Sequence, residues 1–474
     1  MKHIKQIYIN GQFATPHGQE LFSLINPSTN QLIGEVTLGN EQDTQDAVAA
    51  AKKAFKTFSK TSKEQRIAYL QRLHQAVSAR TGEIAATMIE EYGASQQFAT
   101  MSVRYAAESF LQMANVLRDF EFQRDIGRSR LSLEPLGVAA LITPWNANAS
   151  FICNKLATAI AAGCTVVIKP SEMSALQTQL VAECLHEAGL PAGVFNIVNG
   201  RGDVVGAELT RHPDIAKISF TGSTLVGKGI ARDAAASLKR VTLELGGKSP
   251  NILLDDADLA TAIPMAVMAA YMNNGQACIA GTRLLVPEHK LEEVKTLVKK
   301  AVAGIKVGNP ADAEVGLGPL VSVKQYERVQ SYIRLGIEEG AELLTGGEGH
   351  PAGLEAGNFV KPTVFVNVKP GMRIEKEEIF GPVLSIISYR TEEEAVEIAN
   401  DTDYGLQAYV SSADYDRASR IAAQIVAGRV LINCLDHDPA APFGGFKQSG
   451  MGREYGVYGL EEYLEPKAFI GSKK

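Results

Sequence analysis

Cysteine is scarce in this chain and unpaired: five in 474 residues, Cys153, Cys164, Cys184, Cys278 and Cys434, an odd number with no Cys-x-x-Cys spacing. That argues against a disulfide framework and a cysteine zinc site, and reads as reduced thiols in a cytoplasmic protein with no metal. Long apolar runs are missing as well. No stretch reaches the ~18 residues that a membrane span needs, and the opening segment Met1–Ile7 gives way to Asn10-Gly11 before a signal-peptide core could form. There is no basic excess. A net charge of −6 with 21% charged and 45% hydrophobic residues argues against nucleic acid as the main partner. Internal repeats and low-complexity segments are absent too. The length is several times the usual ~100–150 residues of a domain, so two or three cores are expected.

What is present is ordered along the chain. Residues 4–36 alternate short apolar runs with turn signals such as Asn26-Pro27-Ser28, which predicts a strand-rich entry. Helical spacing follows at 43–58, over one long stretch at 62–92 and at 100–120. Residues 121–134 are charged and alternating, with Arg124, Arg128 and Arg130; an exposed ribbon of this kind needs a partner, and a second subunit is the natural one.

Between 136 and 256 strand-length runs (138–143, 164–169, 194–198, 215–220, 241–245) alternate with helical stretches at 152–162, 175–188, 203–210 and 224–236. This is the pattern of a doubly wound parallel sheet. A second α/β region runs over about 250–445, with helices expected at 257–273, 290–304, 323–339, 392–400 and 414–426. Ligands of such sheets sit beyond the carboxyl ends of the strands.

Several of those strand ends carry candidate chemistry. Cys278 stands in Gly275-Gln276-Ala277-Cys278-Ile279-Ala280-Gly281, a setting with little apolar cover, which predicts a thiol reachable by solvent or substrate; it still needs a base to become a nucleophile. Glu244 ends an apolar run and is followed by Gly246-Gly247. Desolvation there would raise its pKa and suit it to general-base work, or it could be a structural carboxylate paired with Lys248 or an arginine. Asn146, after the only tryptophan, Trp145, could donate to an oxyanion or simply occupy a turn. Phe220-Thr221-Gly222-Ser223-Thr224 ends a strand and opens a helix, where free N–H groups favour a phosphate. Lys169-Pro170-Ser171-Glu172 offers a cation and a carboxylate for ribose hydroxyls, with a plain N-cap at Ser171 as the alternative. Gly200-Arg201-Gly202 with Gly206 matches a dinucleotide fingerprint one residue too long, and alone reads as a turn. Cys153, Cys164 and Cys184 read as small core residues.

Thr143-Pro144-Trp145-Asn146, Lys169-Pro170-Ser171-Glu172, Phe220–Thr224, Leu243–Pro250, Gly275–Cys278, Glu378-Ile379-Phe380-Gly381-Pro382-Val383 and Pro442–Lys447 stand in the order of the aldehyde dehydrogenase superfamily, which the chain resembles over nearly its whole length. The resemblance implies an α/β fold with a Rossmann-type cofactor domain (1–118 and 136–246), an α/β catalytic domain (247–447) and a small β oligomerisation arm (119–135 and 457–474). It implies NAD-dependent oxidation of an aldehyde to the acid through a thiohemiacetal and a thioester. Cys278 would be the nucleophile, Asn146 and the Cys278 N–H the oxyanion donors, and Glu244 the base that activates water. Cofactor contacts would fall to Trp145, Lys169, Ser171, Glu172, Gly202, Gly206, Phe220, Gly222, Ser223, Leu245, Glu378 and Phe380. Glu172 would repel a 2′-phosphate, so NAD is expected ahead of NADP. A homodimer or homotetramer is implied. Retention of Glu244 speaks against a branch in which coenzyme A or phosphate takes the acyl group, and retention of Cys278, Glu244 and Asn146 against a non-catalytic binding protein.

One departure stands out. Ala147 and Asn148 replace an aromatic residue and a proline usual in the family, and Asn154 stands where an aromatic is often found. A wider or more polar substrate channel is therefore expected, with Asp436-His437-Asp438 either adding polar contacts or forming a solvated loop.

Overall fold

The computed structural model describes residues 2–471. Five parallel strands form its first large sheet in the order Arg240–Glu244, Ile215–Thr221, Val138–Ile142, Thr165–Lys169 and Phe195–Ile197. Val138–Ile142 is central and its chain neighbours diverge to either side, so the strand order reverses between it and Ile215–Thr221. Crevices open at such reversals, and here the reversal places 143–146 beside 221–223. Antiparallel Ile7–Ile9 and Gln12–Ala14 extend one edge and Gly450–Met451 the other. A separate three-stranded sheet at the entry, Lys2–Ile4, Gln31–Thr37 and Leu21–Asn26, matches the expected strand-rich start.

The helix Asn148–Ala162 lies behind this sheet with nearly every residue buried. A helix apolar on all sides belongs between other layers; it packs on Gln96–Asp119 and Lys63–Ala79 and shares one core with the strands. The stretch expected as one helix over 62–92 is two, Lys63–Ala79 and Thr81–Tyr92. The break falls at Arg80, where φ −120° and ψ 17° leave the helical region and the guanidinium binds Glu83 and Glu183. Residues 203–210 also differ from expectation, forming a wide π turn, Gly202–Gly206, and the short helix Ala207–Arg211.

The second sheet has seven strands. Six are parallel, in the order Thr363–Val366, Val383–Tyr389, Arg283–Pro287, Pro250–Leu253, Gln407–Ser411 and Arg429–Ile432, with Glu342–Thr345 antiparallel at one edge. Gln123–Ile126, Ser129–Pro135 and Leu464–Ile470 make a small antiparallel sheet. Its last strand is exposed along almost its whole length, Ile470 at 86%. The final three residues of the expected arm lie outside the described ones. No helix among the described residues is long and apolar enough to cross a membrane.

Candidate active site

Cys278 lies between the two large sheets. The helix Leu259–Tyr271 stops two residues short of the expected 273, because Asn273 (φ 52°), Asn274 (φ 60°) and Gly275 (φ 72°) are all left-handed. Such a run is costly for asparagine unless its surroundings hold it, and three buried amides do. Asn273 Nδ2 donates to the Asn146 carbonyl (2.8 Å), and its Oδ1 accepts from the Tyr92 hydroxyl (2.9 Å). Asn274 Nδ2 donates to the carbonyls of Gly93 and Pro319, and its Oδ1 accepts from Gly318 N (2.8 Å). Gln276 Nε2 donates to the Tyr92 hydroxyl (3.0 Å) and its Oε1 accepts from Val321 N (3.1 Å). Gly275 is required by space as well as by φ: a Cβ there would stand 2.2 Å from the Gly381 carbonyl carbon.

Asn146, buried at the end of Val138–Ile142, donates from Nδ2 to the Gln276 carbonyl at 2.9 Å. This joins the first sheet to the thiol loop and leaves the second amide hydrogen uncommitted. The strand Arg240–Glu244 reaches the same place through its Gly-Gly turn. A Cβ on Gly247 would lie 2.2 Å from the Cys278 carbonyl oxygen, and one on Gly246 2.7 Å from Glu378 Oε2.

The Glu244 side chain is buried, and both its oxygens lack a hydrogen-bond partner among the described residues. The structural alternative, a carboxylate paired with Lys248 or an arginine, is therefore not what the structure shows. Burial first, and the nearby Glu454 carboxylate second, hold the Glu244 carboxyl well above its ordinary range. Glu454 was not picked out from the sequence. It sits beneath Glu244, bound by Lys155 Nζ, by Ser219 Oγ (3.3 Å) and by Asn154 Nδ2 (3.4 Å); a charged pair 299 residues apart leaves no local signal.

The thiol is reachable but partly covered. Cys278 is only partly exposed, and desolvation, reinforced by Glu378 and Glu244, pushes its thiol up to about 12; the backbone N–H groups of Cys278 and Ile279 oppose that rise. Small neighbours left the loop thinly covered in sequence, but both sheets close over it. In the free protein the thiol should therefore be the dominant form: alkylation of Cys278 by iodoacetamide is expected to accelerate steadily from pH 7 to 10, the thiolate fraction growing about tenfold per pH unit, without levelling off. Mass mapping of the labelled peptide against pH measures this, and a plateau near pH 8 would contradict it.

The expected cofactor residues divide into two groups. Lys169 Nζ pairs with Glu172 at 3.1 Å across the end of Thr165–Lys169. Ser223 Oγ caps the helix Thr224–Ala234, and a Cβ on Gly222 would strike the Phe220 ring at 2.4 Å, so the ring shapes that turn from below. Glu378, half-buried, accepts from Gly247 N at 2.9 Å, and its carboxyl is raised to about 7, chiefly by desolvation. Phe380 takes φ 65° and packs edge-on to Trp145 at 5.5 Å. Its loop is held by Arg328, which donates to the carbonyls of Glu378 and Ile379, and by Gln325, which donates to that of Phe380; sequence reading missed both, since a helix-borne clamp looks like any solvated face.

The others serve the fold. Ser171 Oγ accepts from Met173 N, the local cap that had been the alternative. Leu245 is buried, its side chain facing Gly227, and its N–H is taken by the Ser449 carbonyl. Gly202 and Gly206 bound the π turn, so the loose fingerprint is a turn here. Asn148 is fully buried and donates to Thr178 Oγ1 (2.9 Å), and Asn154 is tied to Glu454. These two amides therefore face the interior instead of widening a channel; only Ala147 of the three is partly exposed.

A thiol, a carboxyl unpartnered among the described residues and an amide donor thus gather where the two sheets of an α/β fold meet. Residues 13–469 match the model of the aldehyde dehydrogenase family. A 3-succinoylsemialdehyde-pyridine dehydrogenase of a Pseudomonas species is 47% identical over 473 residues, 99% of each chain. Among solved structures, aldehyde dehydrogenase C of Pseudomonas syringae, a cysteine-to-alanine mutant complexed with NAD+ and octanal, is 48% identical with a TM-score of 0.97, covering 98% of this chain and 96% of that one. A Mycobacterium tuberculosis aldehyde dehydrogenase complexed with NAD+ is 39% identical with a TM-score of 0.96, covering 99% of both. This chain belongs to the aldehyde dehydrogenase family.

Proposed function

We propose that the protein oxidises an aldehyde to the carboxylic acid with NAD, through an acyl intermediate on Cys278. The observation that carries the reading is Glu244: a buried carboxyl without a partner, within electrostatic reach of the one thiol that both sheets converge on. Such a group costs stability, and catalysis is a reason to retain it.

Cys278 adds to the carbonyl carbon as the thiolate, its proton lost to solvent. The oxyanion meets the free Asn146 N–H and the Cys278 backbone N–H, donors fixed before substrate arrives. Bound NAD supplies the two-electron acceptor. Oxidation leaves a thioester on sulfur, and Glu244 then takes a proton from the water that hydrolyses it. Glu454 and Lys155 lie within electrostatic range of Glu244.

The residues fit the dinucleotide. Lys169 and Glu172 present a cation and a carboxylate to ribose, the Gly222–Ser223 turn presents a helix N-terminus with no Cβ in the way, and Leu225 beside it leaves an apolar side chain 82% exposed for a flat base. Glu378 and Phe380 stand on the nicotinamide side. Glu172 favours NAD over NADP, and the NAD+ complexes of the two relatives support that choice. The exposed sheet of 123–126, 129–135 and 464–470 is the arm that pairs with a second subunit, as a homodimer or homotetramer, which mass measurement in solution tests.

The expected result is NADH formation with NAD and an aldehyde alone, and, on rapid acid quench, an acyl adduct on the Cys278 peptide by mass spectrometry. A requirement for coenzyme A or phosphate would move the reading to the acyl-transfer branch, and an adduct elsewhere would end it.

A further inference from the structure

On the far side of Cys278 from the strand ends lies a group of side chains that the reaction does not use. Arg429 opens the edge strand Arg429–Ile432; its guanidinium lies over the Phe443 ring at 5.6 Å, and Nη1 donates to His437 Nδ1 at 3.2 Å. A guanidinium can only donate, so His437 must accept on Nδ1 and carry its proton on Nε2. Burial and the adjacent Arg429 push the imidazole down to about 4, so it is neutral at physiological pH and does not compete for an anion. Tyr105 and Tyr455 pack edge-on against that imidazole at 5.7 and 5.0 Å, and Phe443 packs edge-on against Tyr455. All five residues are partly exposed, as the wall of a cleft would be.

The wall reaches the thiol loop through Tyr409, whose hydroxyl donates to the Ile279 carbonyl at 2.8 Å and lies within electrostatic range of Arg429, and through Tyr455, within range of Cys278, Glu244 and Arg429. Tyr455 holds φ 66°, and Gly456 after it has no room for a Cβ, which would meet the Ala440 carbonyl at 2.3 Å. Backbone strain at a non-glycine residue persists where its surroundings over-determine it.

Arg429 differs from the other desolvated arginines. Arg283 spends its donors on Glu375 and on the carbonyls of Lys248, Ile398 and Ala399. Arg66 binds Thr61 and the carbonyls of Ser59, Ala161 and Ala162. Arg429 has the single contact to neutral His437 and no ion pair among the described residues; Asp438, exposed, is only in electrostatic range. A half-buried guanidinium with most of its fork free is a receptor for a planar anion.

We propose that Arg429 is a specificity determinant that receives a carboxylate at the far end of the substrate, so that the preferred aldehydes are semialdehydes of dicarboxylic acids, their carbon chain lying along Tyr455 and Phe443. This rests on Cys278 being the residue that takes the aldehyde. The two are separated by comparing, in wild-type enzyme with NAD, a series of dicarboxylic semialdehydes with unsubstituted aldehydes of the same length. A higher kcat/KM for the carboxylated member at one length is expected. Arg429→Gln should lower kcat/KM for that substrate by about 10- to 100-fold, the usual worth of a charge-assisted pair, mostly through KM, and far less for its unsubstituted counterpart; Arg429→Lys should recover part of the loss. Equal losses on both substrates, or no advantage for any carboxylated aldehyde in the wild type, overturns the inference while leaving the oxidation intact. Should Arg429→Gln fail to fold, competitive inhibition of the wild type by dicarboxylates and not by monocarboxylates of equal length replaces it, and its absence is equally decisive. No NADH from any aldehyde would instead refute the proposed activity itself.

Discussion

Replacing Glu244 with glutamine is expected to slow steady-state NADH formation by at least about 100-fold, the scale of a lost general base, while a stoichiometric burst survives because the first oxidation does not need water. The same change should stabilise the protein at alkaline pH. Burial raises the folded-state pKa of Glu244 above its unfolded value, so the native state binds its proton more tightly than the unfolded chain does. The stability this contributes is complete below the unfolded pKa near 4.3 and is lost as pH climbs towards the folded pKa. Glutamine keeps the shape without the ionisation. The melting temperature of Glu244→Gln should therefore pull ahead of the wild type between pH 5 and 8, by about 1–3 °C at the upper end. Stopped-flow NADH absorbance and thermal melts across that range measure both. A variant that loses the burst as fully as the steady state would show that Glu244 acts before the thioester, in activating the thiol.

Gly247→Ala is the second large effect. The added methyl carbon would stand 2.2 Å from the Cys278 carbonyl oxygen, and its obstacle is backbone that Asn273, Asn274 and Gln276 already fix. Neither side can yield cheaply, so a destabilisation of about 3 kcal/mol or more is expected. Whatever relief occurs moves the loop bearing the sulfur, and a displacement of about 1 Å costs roughly 100-fold in rate. Gly229→Ala, in the helix Thr224–Ala234 with nothing within 4 Å of the new carbon, is the control: it should gain about 0.5–1 kcal/mol and leave kcat unchanged. Denaturant melts of the two alongside their kinetics decide it.

The parts that sequence reading reached are those with a local signature. Strand-length apolar runs alternating with helices match both large sheets, and Asn146, Glu172 and Gly222 stand just past strand ends, with Glu244 the last residue of its strand. Where it fell short, the cause was distance along the chain. The partial cover over Cys278 had no local signal because it comes from other elements, the Gly246-Gly247 turn and the Glu378 loop. Asn148 and Asn154 looked like channel residues until Thr178 and Glu454 claimed them. Arg80 breaks a helix whose spacing runs on unchanged, because the residues that hold it include Glu183. The Asn273-Asn274-Gly275 turn carries a signal, since asparagine and glycine are the residues that tolerate left-handed backbone; of the three, only Asn273 falls inside the helix expected over 257–273.

The amides around that turn also fix when, during the making of the chain, the pocket around the thiol can first exist. Cys278 leaves the ribosome before Gly318, Val321, Gly381 and Glu454, yet these residues shape its loop or surround its base. A nascent or truncated chain would carry the thiol without the pocket. Folding of the last part of the polypeptide completes the pocket around Cys278.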